Sequence, residues 1–270
     1  VRAMKKVFLL MFLTVGFLFG NSLSEIQKNG VIRIGVLGDE PPFSSYEDGM
    51  LTGFDIDFAK RIVRDIVGKN GKIEFVEITA HNRIEMLQKN QVDMVIAEFI
   101  IDSDREKLVD FSMPYFAVNT GLLTNKKDHY NSVSQLRGKT VLVEGDTEAE
   151  SDLKKMGLNI KTCNDMFHCY SELKAGRGDA FAGANLIVLA YPIIDKKLEV
   201  NVSGIGTASY YAIGIQKGNA DLLNALNKEL INLSKEGFFK KAFEDTLNPF
   251  YKGTADKKYF LLDDIYRIFG

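Results

Sequence analysis

Apolar residues recur along this chain with two different spacings, and each change of spacing predicts a new strand or helix. Residues 31–37 form a mostly apolar run rich in β-branched side chains, which predicts a strand. Residues 53–67 repeat apolar positions every three or four residues, as an amphipathic helix does. Residues 73–78 alternate apolar and polar positions, as a half-exposed strand does. The order strand, helix, strand predicts an α/β region with a largely parallel sheet.

The next segment adds a helix and a strand, and it places one arginine where an anion could bind. Asn82 is predicted to cap a helix in which Glu85 completes a capping box, and residues 91–96 are predicted to form a buried strand. Asp102 is predicted to cap a further helix with Arg105 in its first turn. Because the N–H groups of a helix start already attract anions, Arg105 there indicates a carboxylate or phosphate site. Alternatively, Arg105 pairs with a neighbouring carboxylate on the surface.

A second α/β unit follows, and the chain ends in two amphipathic helices and an apolar tail. The tail, residues 252–270, is too apolar for a disordered segment, so we expect a short docked helix; the alternative is a partner-binding element. The predicted strands of this half are residues 140–143, 158–161, 180–183, 198–202 and 211–215. A short helix is predicted after residue 147, and longer helices are predicted over residues 165–175, 220–233 and 235–247.

The start of the chain has the pattern of a secretory signal peptide. Basic residues precede an apolar run, residues 7–19, that is too short to span a bilayer, and small residues follow it. We expect cleavage after Ser22. Asn21 stands where a lipoprotein would carry its acylated cysteine, so a soluble periplasmic protein without a lipid anchor is expected.

Composition excludes some classes of function. The apolar content of 46% and charged content of 26% are ordinary for a globular protein, and 270 residues leave room for two domains. Removal of residues 1–22 changes the formal charge from −2 to −5, because that segment holds three basic and no acidic residues. An acidic chain without a basic run argues against nucleic acid and anionic membranes as partners.

The cysteines and histidines do not predict a metal or cofactor. Cys163 and Cys169 are expected to form a disulfide or to stay as buried thiols. His168 beside them makes a metal site imaginable, but three ligands within seven residues form a weak signal. His81 and His129 belong to no metal-binding spacing, and we expect neither a metal nor a cofactor.

Eight short motifs, in order, carry a resemblance to a known family. The motifs are Pro41-Pro42-Phe43, Gly53-Phe54-Asp55-Ile56-Asp57, Asn82-Arg83-Ile84, Gln91-Val92-Asp93, Asp104-Arg105, Val109-Asp110-Phe111-Ser112 with Pro114-Tyr115, Leu136 with Gly138-Lys139, and Ala175-Gly176-Arg177 with Asp179-Ala180. With these motifs the chain resembles the extracellular solute-binding proteins of family 3, the polar amino-acid binding proteins of ABC importers, over about residues 30–250.

The resemblance implies a type II periplasmic-binding-protein fold, an α/β architecture of two lobes joined by two crossover strands with the ligand in the cleft. We expect crossings near residues 122–124 and 204–207. Lobe one is then residues 23–121 plus 207–270, with the tail docked on it, and lobe two is residues 122–206. The implied mechanism is hinge closure around a ligand, followed by docking of a monomer on an ABC permease in the membrane.

The resemblance also implies a set of ligand-binding residues in lobe one. Arg105 matches the arginine that binds the ligand α-carboxylate. Arg83 matches a pocket position that can take a second carboxylate, and Phe43 and Glu40 fall near an aromatic wall.

In lobe two, Asp146 and Thr147 match a helix-start turn that holds carboxylate oxygen. The family usually has a hydroxyl residue where Ile100 stands, and an aspartate for the ligand ammonium where Ala184 and then Asn185 stand. A buried ammonium without a counter-charge is costly. Either Glu98 or Glu40 supplies the carboxylate, or the ligand lacks an α-amino group, or the protein binds weakly or nothing.

The expected ligand is a small polar or anionic solute, such as cystine, cysteine or an acidic amino acid. A ligand-sensing role at a membrane receptor is the alternative to transport. An enzyme resembling cyclohexadienyl dehydratase is a remote alternative, because the acid of that enzyme would fall at or next to Ala184, which transfers no proton.

Overall fold

The structure is a computed structural model that describes residues 20–255. The predicted signal segment, apart from its last three residues, and most of the predicted C-terminal tail lie outside these residues. The strands are β1 (Val31–Val36), β2 (Asp39–Glu40), β3 (Ser44–Glu47), β4 (Met50–Thr52), β5 (Lys72–Glu77), β6 (Met94–Val95), β7 (Val109–Phe111), β8 (Phe116–Asn125), β9 (Thr140–Glu144), β10 (Asn159–Cys163), β11 (Ala180–Ala184), β12 (Leu198–Tyr211) and β13 (Gly214–Gln216).

The helices surround three sheets built from these strands. They are α1 (Leu23–Asn29), α2 (Phe54–Ile66), α3 (Arg83–Gln88), α4 (Glu148–Lys155), α5 (Met166–Lys174), α6 (Asn185–Ile194), α7 (Ala220–Lys235), α8 (Phe238–Ala242) and α9 (Asn248–Tyr251), with a π-helical turn, Phe243–Leu247, between the last two. Among the described residues, none of the helices has the length and apolar character needed to cross a membrane.

Two five-stranded sheets form the centres of two lobes. The first has the order β5-β1-β6-β13-β7, in which β1 pairs in parallel with β5 and β6, and β13 pairs antiparallel with β6 and β7. The second has the order β10-β9-β11-β8-β12, in which β9 pairs in parallel with β10 and β11. This is the two-lobe, type II α/β fold that the sequence predicted. A small sheet, β2-β3-β4, lies beside the first.

The long strands β8 and β12 carry the chain between the lobes. Near the first lobe, Phe116 pairs with Tyr211 and Val118 with Ser209, and further along both strands lie in the second sheet. Residues 122–124, where the first crossing was expected, pair with residues 180–182 inside that second sheet. The lobe limits remain a prediction, but the paired pieces nearest lobe one lie at residues 116–118 and 209–211.

An aromatic cluster fills lobe one where the linking strands enter it. Phe43 packs edge-on against Phe54, Phe116 and Tyr211, at centroid distances of 6.1, 5.3 and 6.4 Å. The turn before α2 needs Gly53, because its φ is +116° and an added Cβ would lie 2.5 Å from the Phe43 carbonyl oxygen.

Most of the sequence-predicted elements are confirmed, with a few differences at their ends. The helix predicted over residues 53–67 is α2, and the strand predicted over residues 73–78 is β5. The predicted capping box at Asn82 is wrong, because the Asn82 side chain accepts a hydrogen bond from the Thr79 N–H, outside helix α3. Helix α6 and the small sheet were not predicted.

Candidate functional site

A cavity enclosed between the two lobes is the candidate functional site. About 40 Å³ of it is open to the centre of a water-sized sphere. One buried water needs about 10–15 Å³ by the same measure, so the cavity has room for a solute larger than one water molecule. It is lined by Leu37, Glu40, Ala80, Arg83, Glu98, Ile100, Arg105, Val118, Asn119, Thr120, Glu144, Thr147, Glu148, Ala149, Met166, Ala184 and Ser209.

Arg105 reaches across the cleft from lobe one. Asp102 Oδ1 accepts hydrogen bonds from the N–H groups of Asp104 (2.9 Å) and Arg105 (3.2 Å), which fixes the start of a short turn. That turn, Arg105–Lys107, is a 3₁₀ helix of three residues, so the helix predicted after Asp102 is only a single turn. The guanidinium donates to the carbonyl oxygens of Ile100 (3.1 Å) and Asp146 (2.7 Å).

The remaining donors of Arg105 are available to a ligand. A guanidinium has five N–H donors, and the two contacts described use two of them. Burial lowers the pKa of Arg105, although an arginine stays protonated at neutral pH. The arrangement leaves a fixed positive charge with free donors at the wall of the cavity, which is the chemistry that binds a carboxylate in two-pronged fashion.

Arg83 also lines the cavity, but it mainly braces the backbone of lobe one. Its side chain donates to the carbonyl oxygens of Ala80 (3.1 Å), Ala97 (2.9 Å) and Glu98 (3.0 Å), with a longer contact to that of Asp146 (3.5 Å). Burial, and then the charge of Arg105, lowers the pKa of Arg83 to about 10. With most of its donors satisfied in this way, Arg83 is poorly placed to bind a second ligand carboxylate.

Three buried carboxyl groups line the same cavity. Glu40 is 3% exposed, Glu98 is 8% exposed and Glu144 is 6% exposed. Burial raises the pKa of Glu98 and of Glu144 to about 8. Burial, followed by the charges of Glu98 and Glu144, raises the pKa of Glu40 well above its ordinary value. The cavity therefore combines an arginine at one wall with an acidic region at another.

The start of helix α4 forms the lobe-two wall. Thr147 caps this helix by accepting a hydrogen bond from the Glu150 N–H, and its hydroxyl donates to the Glu144 carbonyl oxygen (2.7 Å). Asp146 does not line the cavity but lies at its mouth, where its carboxylate contacts His81 Nδ1 of lobe one at 2.6 Å. The Asp146 carbonyl oxygen also accepts from Arg105, so this residue holds the two lobes together.

The remaining predicted site residues fall on both sides of the cavity wall. Ala184 and Ile100 line the cavity, whereas Asn185 lies behind it and accepts a hydrogen bond from the Asn119 N–H (3.3 Å). Phe43 does not line the cavity, and its ring packs instead in the aromatic cluster of lobe one. The expectation that Phe43 stacks on a ligand is therefore corrected to a packing role.

Cys163 and Cys169 form a disulfide, which resolves the alternative that the sequence left open. The bridge closes a loop that contains Met166, the first residue of helix α5. Met166 is 3% exposed and its side chain lines the cavity. The disulfide therefore fixes a segment that forms part of the lobe-two wall.

A family model for the bacterial extracellular solute-binding proteins, family 3, matches residues 32–248. This chain belongs to that family. The match covers both five-stranded sheets except Val31, the first residue of β1, and it covers every residue that lines the cavity. The chain is thus a solute-binding protein of the two-lobe type.

Among similar proteins, the ABC transporter glutamine-binding protein GlnH of Bacillus subtilis is 32% identical over 83% of this chain and 84% of its own length. The solute receptor for L-cysteine of Neisseria gonorrhoeae is 35% identical, covers 88% of this chain and 98% of its own, and superposes with a TM-score of 0.84. The cysteine-binding protein of Campylobacter jejuni is 31% identical over 87% of this chain and 96% of its own, with a TM-score of 0.83.

Sequence reasoning missed several lining residues of this family-3 protein. Glu144 could have been predicted as a lining residue, because it ends strand β9 directly before the Gly145-Asp146-Thr147 turn. Ligands of α/β proteins lie at the carboxyl ends of strands. No sequence pattern marks Met166 or Ser209 as a lining residue, since only the folded chain brings α5 and β12 to the cavity.

Proposed function

We propose that this protein captures one small zwitterionic α-amino acid between its lobes and delivers it to the permease of an ABC importer. The observation that carries the proposal is the composition of the cavity, where Arg105 with free donors and a group of buried carboxyls line one small space. A zwitterion offers a carboxylate to the first and an ammonium to the second. A ligand with only a carboxylate would leave the buried carboxyls without a hydrogen-bond donor, and a ligand with only an ammonium would leave the Arg105 charge without an anion; both are costly.

The small volume of the cavity supports a small amino acid over a large one. Cysteine and glutamine are named in similar proteins, and a side chain of that size is compatible with lining residues such as Ala149, Met166 and Ala184. The polar residues Asn119, Thr120 and Ser209 can accept or donate hydrogen bonds to such a side chain.

Closure between the lobes would retain the bound solute. Strands β8 and β12 are the two links, and bending at their lobe-one ends would open the cleft. On opening, Asp146 would leave His81 and Arg105, which costs little because these contacts lie at the exposed mouth. The ligand then supplies the differential binding energy that favours the closed form.

The family supports a proposal for the partner and the location. A closed, monomeric solute-binding protein outside the cytoplasmic membrane would dock on an ABC permease and release its amino acid there. The name of GlnH places that relative in an ABC transporter, which supports the same context here. A receptor-docking role was suggested by the apolar part of the tail, residues 259–269, which lies outside the described residues. The ABC transporter context of GlnH supports transport instead.

Two other functions have weaker support. A dicarboxylate lacking an amine would need Arg83 as well as Arg105, but the Arg83 donors already bond to backbone carbonyls. A dehydratase would need an acid at or next to position 184, and Ala184 and Asn185 stand there. We therefore propose a binding protein without catalytic activity.

A thermal-shift screen tests the proposal. Residues 23–270 would be unfolded and refolded to remove bound solute, then heated with each of the twenty amino acids, cystine, glutarate or succinate. A ligand at about 100 times its dissociation constant stabilises by about 2.7 kcal/mol, which raises Tm by about 5–10 °C for a chain of this size. We expect such a shift with at least one α-amino acid. A shift with only the amine-free acids, or with no compound, would refute the proposal.

A further inference from the structure

The acidic wall of the cavity is built from both lobes. Glu40 lies in strand β2 and Glu98 follows strand β6, so both belong to lobe one. Glu144 ends strand β9 of lobe two. All three line the one cavity, and each is at least nine-tenths buried.

Two of these carboxyls have an oxygen without a hydrogen-bond partner among the described residues. Those atoms are Glu40 Oε2 and Glu98 Oε1, and both are buried. The other oxygen of Glu98 accepts a hydrogen bond from the Tyr211 hydroxyl at 3.2 Å, which orients the side chain. A buried carboxyl oxygen left without a partner costs about 1–3 kcal/mol or more, so its presence beside a cavity points to a donor that arrives with a ligand.

We propose that Glu40 and Glu98 of lobe one, together with Glu144 of lobe two, form a subsite that binds the ammonium group of the ligand. The inference rests on the proposed function and deepens it, because it makes a cationic amine a requirement for capture. The family usually has one lobe-two aspartate for the ammonium at the position where Ala184 stands here. The proposed subsite replaces that aspartate with carboxyls from both lobes.

An ammonium fits this arrangement better than a metal ion does. Among the described residues, no group of three or more His, Cys, Asp or Glu side chains converges closely enough to hold a metal. An ammonium has three N–H donors that point in different directions. It can therefore bond to carboxyl oxygens that surround a space without meeting at one point.

The division of the carboxyls between the lobes couples the ammonium to closure. When the cleft closes without a cation, burial and the approach of Glu40, Glu98 and Glu144 disfavour their ionised forms, so closure requires them to bind protons. When a cation lies between them, the same carboxylates attract it from both sides. Closure is thus favoured with an amine and opposed without one.

Proton release is the measurable consequence of this coupling. Burial raises the pKa of Glu98 and Glu144 to about 8, so these groups bind protons at pH 7. An ammonium favours their ionised form and displaces a proton, so affinity should rise by up to tenfold per pH unit between pH 6 and 8 for each proton released. The other charged or titratable groups that act on the three carboxyls are Asp39, Asp55, His81, Arg83, Asp165 and Tyr211.

Neutral, isosteric variants test the subsite. Isothermal titration at pH 7.5 would compare the wild type with Glu98→Gln and Glu144→Gln, and Glu199→Gln is the matched control. Glu199 also has a buried carboxyl oxygen without a partner among the described residues, but it lies on β12 away from the cavity. The probes are L-cysteine and L-glutamine with their amine-free counterparts 3-mercaptopropionate and 4-carbamoylbutanoate, and any other amino acid that gives a thermal shift, with its own amine-free counterpart.

We expect Glu98→Gln and Glu144→Gln each to weaken binding of the amino acid at least about tenfold, since a hydrogen bond to a charged group contributes about 1.5–3 kcal/mol. Glu199→Gln should stay within twofold of the wild type, and the amine-free compounds should bind far more weakly to all four proteins. The wild type should lose affinity as pH falls from 8 to 6, and Glu98→Gln should lose less.

Two different failures are distinguishable. If an amino acid binds but the glutamine variants keep wild-type affinity, or its amine-free counterpart binds equally well, the subsite is refuted while amino-acid capture stands. If no amino acid binds the wild type, the proposed function fails and the subsite fails with it. The Tm measured without ligand tests whether a variant is folded. At pH 8 the Tm of Glu98→Gln should not be lower than that of the wild type. Folding raises the pKa of the Glu98 carboxyl to about 8, so this group lowers the stability of the folded protein as the pH rises from the ordinary pKa of a glutamate towards 8. Glutamine does not titrate, so the variant avoids that loss.

Discussion

Replacement of Arg105 by alanine separates ligand binding from folding. The guanidinium contacts one carbonyl oxygen in lobe one, that of Ile100, and one in lobe two, that of Asp146. Only the first of these contacts persists when the cleft opens. The ligand-free variant should therefore lose little stability, whereas the ligand should lose its main carboxylate partner.

The magnitudes follow from the geometry. Truncation of one member of a buried charge pair costs about 2–5 kcal/mol, so Arg105→Ala should raise Kd by about 30-fold to a few thousandfold. Loss of one charged hydrogen bond, at about 1.5–3 kcal/mol, bounds the fall in the free energy of unfolding. For a chain of this length that corresponds to a fall in Tm of roughly 3–12 °C at most.

Titration calorimetry and thermal unfolding without ligand measure the two effects on one preparation. Arg105→Lys keeps the charge but not the planar fork, so it should bind with intermediate affinity. Arg177→Ala is the control, because Arg177 pairs with Glu172 on the surface of lobe two and does not line the cavity. An unchanged Kd in Arg105→Ala would refute the carboxylate site, and so would equal losses in Arg105→Ala and Arg177→Ala.

Three further changes test the fold and the site. Gly53→Ala should lower the free energy of unfolding, measured by urea titration, by at least about 2 kcal/mol, because the φ of Gly53 is +116°. Gly204→Ala is the control and should lower it far less, because an added Cβ there meets no atom within 4 Å. Reduction, or the double variant Cys163→Ser with Cys169→Ser, should lower the unfolding free energy by about 2 kcal/mol in urea titrations; equal midpoints would contradict a stabilising bridge. Ala184→Asp should not strengthen amino-acid binding in calorimetry, because the cavity already holds carboxyls; a tenfold gain would contradict this.

The fold was predictable because each local pattern agrees with the tertiary arrangement. The amphipathic spacing of α2 and the apolar run of β1 give the correct elements without any knowledge of their partners. Helix α6 was missed because residues 180–194 form one almost continuous apolar run that includes Pro192, so neither periodicity nor a cap marks the change from strand to helix.

The candidate site was predictable only in part. The resemblance located Arg105, Glu98, Thr147 and Ala184, all of which line the cavity. It could not show that Arg83 donates to backbone carbonyls, because those carbonyls are presented by the bend after β6, where Glu98 has a φ of +51°. The charge balance of the cavity also depends on tertiary structure, since burial sets which carboxyls remain ionised.

Competition for the refolded protein tests the central claim most directly. Residues 23–270, stripped of solute, would be mixed with equal concentrations of the twenty amino acids, cystine, 3-mercaptopropionate, glutarate and succinate, then gel-filtered. Mass spectrometry would identify the solute that stays with the protein. We expect one α-amino acid at close to one molecule per chain. Retention of an amine-free acid in its place, or of no solute, would contradict capture of a zwitterionic amino acid by this cavity.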